Sequence, residues 1–89
     1  MIVEFDKSFE KSIDKVKDKS ILPKIETIIA DLENAKSFHE IKNLKKLSGF
    51  KTYYRIRLGV YRIGLEKIAE TTIRLIIVAH IKDIYRSFP

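Results

Sequence analysis

The 89-residue chain contains no cysteine, and its two histidines, His39 and His80, stand far apart with no acid cluster beside either. That excludes disulfides, thiolate zinc and a Cys nucleophile, and it leaves no set of metal ligands at a workable spacing. Glu66 and Asp83 are isolated in the second half, so no carboxylate pair is available for acid–base chemistry. Neither a Gly-rich phosphate loop nor a Ser/His/Asp arrangement occurs. Arg, Lys and Tyr remain. Arg55, Arg57 and Arg62 lie close together, with Lys45, Lys46 and Lys51 before them and His80, Lys82, Tyr85 and Arg86 near the end.

That inventory suits metal-free cleavage of RNA, in which the 2′-OH attacks the adjacent phosphate in line and leaves a cyclic phosphate. The protein then supplies no nucleophile and needs no cofactor. It must orient the backbone, stabilise charge on the phosphorane oxygens and move two protons. Fixed guanidinium groups serve the second task, and a His, Tyr or Lys with a shifted pKa serves the third. Tyrosines and arginines also offer stacking surfaces for unpaired bases. The same residues would equally furnish an RNA-binding sheet without catalysis.

The charge distribution points the same way. Lys and Arg number 18 against 12 Asp and Glu, a formal net charge of +6. Residues 1–40 hold seven Lys and nine acids, whereas residues 41–89 hold six Lys, five Arg and three acids. Between Ile41 and Leu65 seven basic residues occur without one acid. A one-sign half on a small chain suggests a polyanionic partner, and Arg suits bidentate phosphate contacts.

Length predicts one domain over residues 1–89. Hydrophobic residues at 45% suffice for one core. No apolar run approaches the roughly 18–20 residues of a membrane span, and Glu4 and Asp6 are out of place in a signal peptide. These features predict a soluble, cytoplasmic protein with no membrane partner.

The elements that must position the basic residues follow from periodicity. Met1–Phe5 reads as a short strand, and Asp6 can accept from the free N–H groups of a helix start. Phe9, Ile13 and Val16 make an apolar stripe on a helix expected to end near Lys19. Ser20 is the expected next N-cap, with Pro23 in the first turn of a second helix. Ile25, Ile28, Ile29 and Leu32 form its stripe, and Asn34 its stop. Ala35–Gly49 fits a helical turn or an irregular segment laid on the core.

From Phe50 the period becomes two. Lys51–Leu58 and Val60–Leu65 alternate around Gly59, the pattern of a β-hairpin. If Tyr54, Ile56, Leu58, Tyr61, Ile63 and Leu65 face the helices, Arg55, Arg57 and Arg62 emerge on the far side. Ile73–Ile81 reads as a central strand, with Ile73, Leu75, Ile77 and Ala79 on one face. Strict alternation puts Arg74, Ile76, Val78 and His80 on the other. Lys82–Pro89 reads as a basic-aromatic tail. The expected fold is α+β: an N-terminal strand and two antiparallel helices on one face of a mainly antiparallel, about four-stranded sheet. Its other face would gather the arginines, tyrosines and His80.

The stretch Leu47-Ser48-Gly49 followed by Tyr54-Arg55-Ile56-Arg57-Leu58-Gly59-Val60-Tyr61-Arg62-Ile63, and the closing His80-Ile81-Lys82-Asp83-Ile84-Tyr85, resemble the motifs of the RelE/ParE toxin superfamily. Val3, Phe5, Phe9 and Lys11 extend the resemblance across the chain. It implies a RelE-like fold and the toxin of a type II toxin–antitoxin pair, with a cognate antitoxin as protein partner. RelE-like members cleave mRNA in the ribosomal A site without metal; ParE-like members inhibit DNA gyrase. By position, Arg55 and Arg57 match residues that grip phosphate near the scissile bond. Arg62 matches the arginine that stabilises the transition state, His80 a proton-transfer position and Tyr85 a C-terminal tyrosine that positions the nucleotide. Lys45, Lys46, Lys51, Lys82 and Arg86 would contact RNA backbone. Two positions depart from the pattern: Ile81 replaces an arginine and Val60 replaces an acid of the hairpin turn.

Overall fold

Strand β1 (Ile2–Phe5) ends where the Asp6 carboxylate turns back to accept from the Ser8 backbone N–H at 3.0 Å, and helix α1 (Lys7–Asp14) starts there. The computed structural model describes all 89 residues. α1 stops earlier than its apolar stripe predicts. Its end tightens into i→i+3 bonds, Lys15 N–H to Ser12 O and Val16 N–H to Ile13 O, both 3.1 Å, and Val16 still reaches the core.

The next cap is Asp18 rather than Ser20: its carboxylate accepts from the Ser20 N–H at 3.0 Å and opens a 3₁₀ turn over Lys19–Ile21. That turn runs into α2 (Leu22–Asn34), which buries Ile25 and Leu32. The Ser8 and Ser20 hydroxyls, and after them the backbone N–H groups of the same residues, hold the carboxyls of Asp6 and Asp18 below the usual Asp range. No helix is long and apolar enough to cross a membrane.

Five strands form one sheet in the order β1-β5-β4-β3-β2, β1 lying parallel to β5 and every other pair antiparallel. The fifth strand, β2 (Leu44–Lys46), comes from the segment expected to be irregular. Asn43, at φ +63°, turns the chain so that Leu44 pairs with Ile56 and covers the hairpin's outer edge. A 3₁₀ turn over Phe38–Glu40 precedes it. β3 (Tyr53–Leu58) and β4 (Tyr61–Ala69) make the predicted hairpin. Gly59, at φ +59°, takes the first loop position, where a II′ turn requires glycine.

Phe9, Val16, Ile21, Ile25 and Leu32 pack against Ile56, Tyr61, Ile63, Leu65, Ile73, Leu75 and Val78 in one core. Both helices therefore cover the same sheet face. β5 (Thr72–His80) departs from simple alternation. Gly64 pairs with Ile77 but Leu65 pairs with Leu75, so Ile76 is an extra, bulged residue. One inserted residue inverts the parity beyond it. Val78 and His80 consequently turn toward the helices, whereas Ile77 and Ala79 turn away, the reverse of the predicted assignment.

The terminal segment is folded rather than a tail. α3 (Ile84–Ser87) buries Ile84, and Phe88 lies on the second sheet face. A Cβ on Gly64 would stand 2.8 Å from the Phe88 ring, and Tyr53 meets that ring edge-on at 5.7 Å. Glycine at position 64 is what lets the aromatic ring approach the strand.

Candidate nucleic-acid interface

Arg57 and Arg62 are direct cross-strand partners on β3 and β4. Their chain neighbours Ile56 and Ile63 are buried in the core, so both guanidinium groups point away from the helices. Like charges set opposite each other lower stability, and no carboxylate relieves them: the three ion pairs of the fold join Lys67 to Glu70, Arg74 to Glu4 and Arg86 to Asp83.

Each arginine is held differently. Arg62 Nη1 donates to the carbonyls of Gly59 at 2.8 Å and Tyr61 at 2.9 Å, which folds the guanidinium over the hairpin turn and leaves the rest of its fork unused. Arg57 is exposed. Arg55, one step along the same face, donates to the Asn43 carbonyl at 3.3 Å and pairs across the ladder with Lys45. Arg55, Arg57, Arg62 and Lys45 thus form a cationic strip on the second face. A planar guanidinium fork fits phosphate oxygens in bidentate fashion, and two forks side by side can hold consecutive charges or one accumulating charge.

Other predicted site residues are placed elsewhere. His80 pairs with Tyr61 and shares its face, their rings meeting edge-on at 5.7 Å. The expectation that His80 joins the arginines fails because the bulge at Ile76 reverses its direction. Lys46 pairs with Tyr54, on the helix side. Lys51 lies in the turn before β3. Lys82 donates its backbone N–H to His80 Nδ1 at 3.1 Å, Tyr85 is 52% exposed on α3, and Arg86 is 3.7 Å from Asp83.

Sequence reasoning passed over a second basic region. A groove of about 620 Å³ runs between α1 and the start of the terminal segment, with Lys11, Lys15, Lys82 and His80 in its lining. The available signal was the recurrence of Lys7, Lys11 and Lys15 every four residues, which puts the first two on one side of α1 and the third at its C-cap.

No family model matches the chain. A relative from Methanocaldococcus jannaschii, named Toxin RelE3, is 41% identical over 90 residues that cover 100% of both chains. The RelB–RelE antitoxin–toxin complex from Methanococcus jannaschii has a chain 39% identical to this one, with a TM-score of 0.79 over 97% of this chain and 99% of that one. The intact E. coli RelBE toxin–antitoxin complex has the same fold at 20% identity, with a TM-score of 0.66 over 89% of this chain and 94% of that one. Full-length identity at this level, with the hairpin arginines on the face turned from the helices, means that the chain belongs to the RelE family of toxins.

Proposed function

We propose that this protein is the toxin of a type II toxin–antitoxin pair and a metal-independent endoribonuclease that cuts mRNA in the ribosomal A site. The observation that carries the reading is the paired Arg57 and Arg62, adjacent, outward-facing and without an acid partner. The ribose 2′-OH loses its proton and attacks the neighbouring phosphate, the bond to the 5′-oxygen of the next nucleotide breaks, and that oxygen leaves as a protonated hydroxyl, giving a 2′,3′-cyclic phosphate. Arg57 and Arg62 hold the phosphate and compensate the charge that grows on its equatorial oxygens. Arg55 and Lys45 bind the adjoining backbone. Tyr85, exposed on α3, is available to position the nucleotide or carry a proton. Codon-level precision then comes from the ribosome, which presents the strand.

The two solved relatives described above are toxin–antitoxin complexes, and a cognate antitoxin is the inferred protein partner. Its chemistry follows from the strip: acidic side chains that pair with Arg57 and Arg62 and so keep RNA away.

Inducible expression with mapping of transcript 5′ ends tests the reading. Cuts within codons that vanish on Arg62→Ala are the expected result. Growth arrest with intact transcripts would instead indicate an inhibitor that works by binding, in the manner of a gyrase poison, and harmless expression would indicate a member that only binds its antitoxin.

A further inference from the structure

β1 pairs only with Thr72–Leu75, which leaves the remainder of β5 as an open edge. α1 closes the first part of that edge with two hydroxyls. Ser8 Oγ stands 2.6 Å from the Ile76 carbonyl and 2.6 Å from the Asp6 carboxylate, its single proton shared between them, and Ser12 Oγ accepts from the Val78 N–H at 2.9 Å. Beyond Val78 the edge opens into the groove of about 620 Å³, a volume typical of ligand sites.

The groove is built from donors. Lys11, Lys15 and Lys17 line it from the α1 side and Lys82 from the other, and none of the four is in an ion pair. Because His80 Nδ1 accepts from the Lys82 N–H, a neutral His80 carries its proton on Nε2, a further donor. The one carboxylate in the lining, Asp83, is engaged by Arg86. Such a lining recognises an anion.

The position of Ala79 identifies the anion. Ala79 pairs directly with Arg62 across the β4–β5 ladder, so it stands on the arginine face, and it also lines the groove. Its side chain is a single methyl, and adjacent strands are only about 4.8 Å apart. A strand bound at Arg62 can therefore continue over Ala79 into the groove. An acidic peptide adding to the edge as a β-strand is disfavoured, because Ser8 and Ser12 already occupy the Ile76 carbonyl and the Val78 N–H.

We propose that the groove lined by Lys11, Lys15, Lys82 and His80 binds the phosphate backbone of the same single-stranded RNA that Arg57 and Arg62 engage, one segment further along the strand. The proposal rests on the reading of the arginine face as an RNA site. It extends the footprint around the edge of the sheet to the side that carries the helices.

Fluorescence anisotropy with the full chain tests it, using 2′-O-methyl RNA so that no cleavage intervenes. A trinucleotide reports on the arginine face alone; a longer single strand reaches the groove. The double variant Lys11→Gln/Lys15→Gln changes one exposed position inside α1 and its exposed C-cap residue, and glutamine is as good a helix former as lysine. It is expected to weaken the longer strand about tenfold and to reduce its log–log salt slope by ~1.4, since each phosphate no longer neutralised lowers the slope by about 0.7. Trinucleotide affinity is expected to change less than twofold. Ala79→Leu, which sets a larger side chain between Arg62 and the groove, is expected to weaken only the longer strand. Unchanged affinity and slope for the longer strand in the double variant overturn the groove while leaving the arginine face intact. A parent protein that binds neither RNA at low salt overturns the RNA reading itself. Polyglutamate that binds the parent and not the double variant, with RNA unaffected, assigns the groove to an acidic protein and overturns the proposal.

Discussion

Arg57 and Arg62 face one another across the hairpin ladder with no carboxylate beside them, and the fold stands despite that repulsion. Opposed like charges cost about 0.2–1 kcal/mol in a sheet. Arg57→Thr, which removes one charge and supplies a good strand former, is therefore expected to raise the urea midpoint. The same change removes a phosphate ligand and is expected to weaken RNA binding roughly tenfold and flatten its salt dependence by ~0.7. Stability and affinity moving in opposite directions is the diagnostic outcome. A variant impaired in both would mean that Arg57 is a structural residue.

Gly64 and Phe88 supply a second test. A methyl at position 64 would lie 2.8 Å from the Phe88 ring, closer than side-chain carbons approach, so the ring must move. Phe88 follows a single helical turn near the chain end, and the least costly response is for α3 to lift. Gly64→Ala is expected to speed amide hydrogen exchange at Phe88, whose N–H is bonded to the Ile84 carbonyl at 2.9 Å, while exchange in β3 and β5 stays slow. Faster exchange throughout the sheet, with Phe88 no faster than the rest, would show that the strand rather than the terminal segment gives way.

The hairpin was legible because its residues alternate. Tyr54, Ile56 and Leu58 against Arg55 and Arg57 carry a phase, and Gly59 marks where the chain reverses, so both arginines could be assigned to one face. β5 carries no such information: Leu75, Ile76, Ile77 and Val78 are all apolar, and a bulge within such a run leaves no trace in the pattern. His80 was misplaced for that reason alone. β2 was hidden because Leu44–Lys46 is too short for its period to show and exists by pairing with Ile56. The folding of the terminal segment depends on Gly64, twenty-four residues before Phe88, a tertiary contact that local patterns do not encode.

Ser12 links α1 to the sheet edge and carries a clear energetic expectation. It is buried, donates to the Phe9 carbonyl at 2.7 Å and accepts from the Val78 N–H at 2.9 Å. Alanine is the better helix former, so propensity alone predicts a small gain. Loss of the acceptor strands the Val78 N–H, which costs about 1–3 kcal/mol and outweighs that gain. Urea denaturation of Ser12→Ala is expected to show a net loss in that range. A variant as stable as the parent would mean that another acceptor reaches the edge of β5.

The two Asp caps predict a pH dependence. In the folded chain the Ser8 contacts lower the Asp6 carboxyl pKa and the Ser20 contacts lower that of Asp18. In the unfolded chain both return to about 3.9. A depressed folded pKa contributes stability that is fully present above the unfolded value and is lost as pH falls through the folded one. Asp6→Ala and Asp18→Ala are thus expected to melt at a lower temperature than the parent at pH 7. The difference should narrow as the pH drops below about 4, where the parent carboxylates take up protons. Thermal melts from pH 7 to pH 2 measure it. A gap that stayed constant across that range would assign the caps' contribution to geometry independent of their charge.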